Sequence, residues 1–234
     1  MSPAVALAVA TVQDSFSSNP LSIVFLLAIL TLVPFVLVMI TSFAKIVIVL
    51  MFLRTALGTP QVPPGIVITG LALILTAYVM APTGTKVYEA AKSVKGAEHG
   101  FASASMDVIF QAADKAKEPV RDFLMKHSRP QERTMFLNMA RRMQPKETSS
   151  KLGESDLIVV VPAFVVGQLA LAFRIGFLIF VPFLIIDLVV ANILLALGMH
   201  MLSPTIISLP FKLLLFVLVN GWQLLTQGLV LSYL

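Results

Sequence analysis

Apolar positions run almost unbroken through two stretches of the chain, and a charged, helically periodic stretch separates them. Charge-free windows cover 15–44, 55–85, 157–173, 175–186, 188–211 and 213–234. A helix crosses a bilayer with about 20 apolar residues, so several windows are long enough to span. A first helix is predicted to start after Asn19-Pro20, where a proline sacrifices no hydrogen bond, and to run over 21–43 and on toward Leu53. The breaker Gly58-Thr59-Pro60-Gln61-Val62-Pro63-Pro64 then turns the chain. A second helix over 66–80 is expected to stop near Ala81-Pro82. These two helices make an antiparallel hairpin within 21–85, preceded by an N-terminal segment 1–20.

Between 86 and 156 the period changes. Val108, Ile109, Ala112, Ala113, Ala116, Val120, Phe123 and Leu124 recur at helical spacing with charged residues between them, which predicts an amphipathic helix. Pro119 is expected to break or kink it. Met135, Phe136, Met139 and Met143 predict a second, shorter helix. The segments 96–100 and 144–153 read as loops. A last apolar stretch, 157–234, begins beside a cap at Ser155 and contains Pro162 and Pro182. It breaks at the turn 198–204, and one final helix is expected over 205–232. The fold class is therefore an all-α membrane protein, with two long helical hairpins flanking a small polar helical domain.

Composition agrees with this layout. The chain is 58% hydrophobic and 12% charged, about half the charge of a soluble domain. Residues 86–156 hold 13 Lys/Arg and 10 Asp/Glu, and only six charges lie elsewhere: Asp14, Lys45, Arg54, Arg174, Asp187 and Lys212. This distribution excludes an ordinary soluble enzyme, a disordered chain and a nucleic-acid binder. The net charge of +5 arises from interspersed signs and implies no polyanion partner. Without cysteine there is no disulfide, thiolate metal site or thiol nucleophile. His99, His127 and His200 lack metal-ligand spacing, and no zinc, nucleotide-loop or serine-elbow motif occurs. Neither a metal nor another cofactor is expected.

Lys45 and Arg54 flank the first turn at Gly58 and Pro60, which places that turn on the cytoplasmic side by the positive-inside rule. The polar domain and both termini would then lie outside, and the 198–204 turn inside. The segment 1–10 lacks the basic start of a cleaved signal peptide.

Asp187 and Lys212 interrupt apolar sequence, where a charge costs at least about 2.5–3.5 kcal/mol. They lie about 18 and 12 Å from their ends of the turn, close enough in depth for the lysine to bridge. An ion pair fixing helix register, a relay for a proton or substrate, and a lysine snorkelling without a partner all fit. Arg174, about 20 Å from Asp187 along the helix, is expected at an interface. Met199 and Met201 flank His200 in the turn, and flexible methionines seal against irregular partners. His200 itself is either a solvated residue or a pH sensor.

The run Phe173-Arg174-Ile175-Gly176-Phe177-Leu178-Ile179-Phe180-Val181-Pro182-Phe183-Leu184-Ile185-Ile186-Asp187-Leu188-Val189 closely resembles the FliP/SctR family of type III secretion. So do Ile207-Ser208-Leu209-Pro210-Phe211-Lys212 and Leu53-Arg54-Thr55-Ala56-Leu57-Gly58-Thr59-Pro60, and the resemblance covers 21–233. Glu154-Ser155-Asp156 and Gly228-Leu229-Val230-Leu231-Ser232-Tyr233 look more like the injectisome branch than the flagellar one.

The resemblance implies a multi-pass subunit of the bacterial inner membrane, assembled in several copies, a pentamer, into a helical pore complex that projects toward the periplasm. It implies SctS/SctT-like and SctU-like membrane partners, the needle or inner-rod base, surrounding lipid, and unfolded secreted proteins as cargo. It also implies that Met199, His200 and Met201 form a pore gasket, and that Asp187 and Lys212 are buried charges of assembly. Three positions depart from the family pattern: His200 stands for a methionine, Asn220 for an aspartate, and Gln168 for a frequent glutamate. A flagellar equivalent, a small-solute transporter or ion channel, and a membrane-embedded enzyme are the competing readings.

Overall fold

The computed structural model describes Val24, residues 31–32, 34–59, 62–94, 106–145 and 152–234. The expected start after Asn19-Pro20, most of the first predicted helix, Pro60, the 96–100 loop and much of the 144–153 loop lie outside the described residues. The chain divides into two units, 1–39 and 40–234. In the first unit every described residue is helical.

All regular structure among the described residues is helical. The second unit contains α1 (Phe43–Ala56), α2 (Gly65–Lys92), α3 (Met106–His127), α4 (Pro130–Met143), α5 (Leu157–Ala196), α6 (Pro204–Leu218) and α7 (Gly221–Leu231). Helix α1 is apolar on most sides, and its buried positions Ile46, Val49, Leu50, Leu53 and Ala56 follow the three-and-four spacing of a core-facing stripe. This stripe meets Ile68 and Ala72 of α2, Ala172 of α5 and Leu229 of α7 in the central cluster. Small residues let the backbones approach closely. A side chain at Gly176 would lie 2.4 Å from the Phe52 ring, so α5 crosses α1 where only glycine fits.

Among the described residues two helices, Gly65–Lys92 and Leu157–Ala196, are long and apolar enough to cross a membrane. Counting each bent helix pair as one span raises the number to at most four.

Several boundaries differ from expectation. Helix α2 continues through Pro82 to Lys92, so the 85/86 boundary of the first hairpin falls inside it. Proline removes one hydrogen bond without ending a helix whose flank is packed, and α2 is held there against α3. For the same reason α3 runs through Pro119 as one helix. The final helix is divided in two: Asn220 adopts φ +50°, and α6 and α7 are bent by 60°. A side chain at Gly221 would lie 2.1 Å from the Phe216 ring, so the tight bend requires glycine there. The cap of α5 is Asp156 rather than Ser155, and Asp156 accepts the Gly153 N–H at 2.8 Å.

The charged helices do not form a separate body. Phe123 and Leu124 of α3 are buried with Val160 and Phe164 of α5 and with Tyr233. On α4, Leu137 is buried while Met135, Met139 and Met143 are exposed. The inward face of α4 is therefore the one opposite its methionines.

Candidate functional site

Helix α5 ends in a Schellman motif. Gly198 takes φ +71°, the Met199 N–H donates to the Leu194 carbonyl at 2.9 Å, and the Gly198 N–H donates to Leu195 at 3.1 Å. A left-handed residue at this position favours glycine. Pro204 then opens α6 at its first position, where no N–H is required. Met199, His200 and Met201 occupy the reversal between these two stops, and all three are exposed. Met201 is 100% exposed, so the tip of the second hairpin presents a free thioether.

Deeper between the same two helices, Lys212 Nζ donates to Asp187 Oδ2 at 2.7 Å. The Lys212 side chain is 3% exposed and Asp187 26%. Ser208, one helical turn before Lys212, donates its hydroxyl to Asp187 Oδ1. The ion pair is thus the arrangement that occurs, and one carboxylate collects both partners from one face of α6. Lys212 also reaches the first hairpin. A side chain at Gly58 would begin 3.4 Å from Lys212 Nζ, and Gly58 itself takes φ +76°. Leu53, Ala56 and Leu57 around that turn are buried against Phe183 and Phe216. The pair therefore locks α5 to α6 directly beneath the first turn.

The other singled-out charges separate. Arg54 is part-buried beside the turn, with its guanidinium 3.8 Å from a side-chain position on Gly65. Lys45 does not flank this turn. It lies 13 residues before Gly58, about 20 Å away along helix, and is 2% exposed. Arg174 is exposed and has no ion pair among the described residues, so it is not a buried charge of this chain. Its position on the outside of α5 follows from Ala172 and Gly176 taking the inner face.

Lys45 instead belongs to a second polar cluster. Its ammonium donates to Ser232 Oγ at 2.8 Å and stands 3.5 Å from the centre of the Tyr233 ring, a cation–π contact. The Tyr233 hydroxyl donates to Gln168 Oε1 at 2.8 Å, and Gln168 Nε2 donates to the His127 carbonyl at 2.9 Å. The buried amide is thereby satisfied at both ends. The His127 ring packs against Phe123 and Tyr233 at 4.7 and 5.1 Å. Burial pushes its pKa down to about 4, and the charges of Lys126 and Lys45 add to the effect. This cluster ties α1, α3 and α5 to the segment after α7. The sequence singles out Lys45, Gln168 and Tyr233 for unrelated reasons, and no local spacing joins them. Ser208 was detectable through its four-residue spacing from Lys212.

No group of acidic, histidine or cysteine side chains suited to a metal occurs among the described residues. Their polar chemistry fastens helices together, and the exposed tip and the apolar outer faces of α5 and α6 are left as contact surfaces. The FliP family model matches residues 26–229. The chain is 46% identical to Pathogenicity-related ORF2 of Xanthomonas campestris pv. glycines, over 87% of this chain and 92% of that protein. It is 45% identical to Yop proteins translocation protein R of Yersinia pestis, over 92% and 97%. With the flagellar biosynthetic protein FliP of Bacillus subtilis it shares 43% identity, over 92% and 93%.

Proposed function

The chain belongs to the FliP family, and from that premise we propose that it is a pore-forming subunit of a type III secretion export gate. In this reading it conducts unfolded proteins across the bacterial inner membrane toward the needle channel. Apolar helices and a secretion-apparatus family fit a protein of that membrane. Helix α5 is the observation that carries the reading further. Its 40 residues extend about 60 Å, against a hydrocarbon core of about 30 Å. Fitting it into lipid alone requires a tilt of about 60°, outside the ordinary range of up to about 40°. Phe177, Leu178, Leu188 and Ile193 are nonetheless exposed along it. That apolar length calls for protein neighbours as well as lipid.

Copies of the same chain in a pentamer, SctS/SctT-like and SctU-like subunits and the needle or inner-rod base supply those neighbours, and the assembly projects toward the periplasm. Arg174, exposed on α5, faces one of these contacts. With the tips of the second hairpins converging, Met199, His200 and Met201 line the constriction, where flexible thioethers close around changing cargo. With Lys45 buried elsewhere, the cytoplasmic placement of the first turn rests on Arg54.

Replacing Met199, His200 and Met201 together by Ala tests the gasket. Ion conductance through the reconstituted complex should rise while complex yield is unchanged, and unaltered conductance would refute the role. The 43% identity to a flagellar relative supports the flagellar version of the same gate. Deleting the chain distinguishes the two: loss of needle-dependent secretion with swimming intact supports the injectisome reading, and loss of swimming supports the flagellar one.

A further inference from the structure

Where α2, α3 and the segment after α7 meet there is a small polar cavity of about 190 Å3, lined among others by Pro82, Lys86, Asp122, Lys126, His127 and Tyr233. It lies at a chemical boundary. The sequence from 55 to 85 is free of charge and Lys86 is the first charge after it, so the cavity opens where the apolar span gives way to the polar helices. Tyr78 and Tyr88, 70% and 61% exposed, bracket this level on α2. Tyrosine at such a level marks a membrane–water interface.

The charges around the cavity are poorly compensated. Among the described residues neither Lys86 nor Lys126 forms an ion pair, and Asp122 is the one acid of those that line the space. Lys126 gives one N–H to the Leu234 oxygen at 3.0 Å, which leaves two further donors on its ammonium. Lys45 stands behind the Tyr233 ring with no carboxylate partner among the described residues. The His127 ring, whose pKa burial lowers first and Lys126 and Lys45 lower further, borders the same space. The volume equals about six waters at about 30 Å3 each, enough for a phosphate group and too small for a nucleotide.

On α2 the cavity residues Pro82 and Lys86 continue, at steps of four, the line of Ile74 and Tyr78, which are exposed and apolar. Neighbours four apart touch but each step turns about 40° around the helix, so an apolar track winds from the cavity down the span. Basic pockets between membrane helices hold anionic headgroups on the cytoplasmic side, and the same phosphate–ammonium chemistry is open to a basic cavity at the opposite surface.

We propose that this cavity binds the phosphate of an anionic phospholipid, with Lys86 and Lys126 as its cationic contacts and the acyl chains lying along Tyr78 and Ile74. The lipid fastens the seam between α2 and α3 at the level of the membrane surface. The test uses the full chain in its detergent-solubilised complex, offered short-chain phosphatidylglycerol, short-chain phosphatidylcholine or inorganic phosphate, with bound lipid counted by native mass spectrometry. Phosphatidylglycerol should be retained at least tenfold better than phosphatidylcholine. Lys86→Gln with Lys126→Gln should remove that preference, and Lys86→Arg with Lys126→Arg should keep it. Lys92→Gln with Lys115→Gln, which removes equal charge outside the cavity, should also keep it. Equal retention of the two lipids, undiminished phosphatidylglycerol in the double Gln variant, or its displacement by an equal concentration of inorganic phosphate would overturn the proposal.

Discussion

Lys212 Nζ lies 3.4 Å from the point at which a side chain on Gly58 would begin, so a lysine of the second hairpin reaches contact distance of the glycine at the first turn. The same ammonium holds Asp187 at 2.7 Å. Three segments far apart in sequence thus meet at one buried charge. Gly58→Ala should destabilise the chain by placing a side chain at φ +76°, a strain of about 1–3 kcal/mol, while its methyl group meets Lys212 only at contact distance. Assembly yield on native gels and thermal stability should both fall. Wild-type values would show that the turn accommodates an L side chain without strain.

The ion pair predicts a non-additive pattern. Removing Asp187 leaves the Lys212 ammonium buried without its counter-charge, at a cost of about 3–5 kcal/mol. Removing Lys212 costs less because Asp187 is half-buried, whereas replacing both by apolar residues of similar volume is close to neutral. Asp187→Asn and Lys212→Ala should each lower the yield of assembled complex, and Asp187→Leu with Lys212→Met should restore most of it. If the double variant assembles as poorly as the sum of the singles, the charge itself is required and the packing explanation is wrong.

The crossing of α1 and α5 makes a steric prediction. A methyl group at Gly176 meets Cβ and Cγ of Phe52 as well as the ring edge, so rotating the ring does not relieve it. Gly176→Ala should destabilise by about 1–3 kcal/mol, as overpacking does. Phe52→Ala in the same chain should recover part of the loss. Thermal unfolding of the two single variants and the double variant measures this, and no recovery would place the clash elsewhere.

His127 predicts a pH dependence. Its folded pKa of about 4 lies below the ordinary 6.5, so between those values the unfolded chain binds more protons than the folded one. The contribution is complete above about pH 6.5, is lost as pH falls toward 4, and changes no further below that. The melting temperature should drop across this window. In His127→Gln the drop should be smaller, and equal drops in both proteins would show that the ring is not held neutral.

How much of this was readable beforehand depends on how far each contact reaches along the chain. Asp187 and Lys212 are 25 positions apart across one turn, so counting helix rise from each end placed them at matching depth. The stop at Gly198 was legible because left-handed backbone favours glycine. The cluster of Lys45, Gln168 and Tyr233 was not, since its bonds join positions 187 and 65 residues apart and no local period encodes them. For that reason charge and position alone set Lys45 beside the first turn, at the wrong end of its helix. Pro82 and Pro119 misled because a proline's local cost is outweighed when the helix flank is packed. Asn220 stands out as a departure from the family pattern, but the bend beside it depends on Phe216 filling the inside of the corner against Gly221.

Site-specific photocrosslinking at Met201 during active secretion tests the central claim most directly. A photoreactive residue there should capture a stalled secreted protein in transit, and the same probe at Tyr78 on the outer face of α2 should not. Capture at Tyr78 and none at Met201, in cells that secrete normally, would contradict the placement of this hairpin tip in the export path.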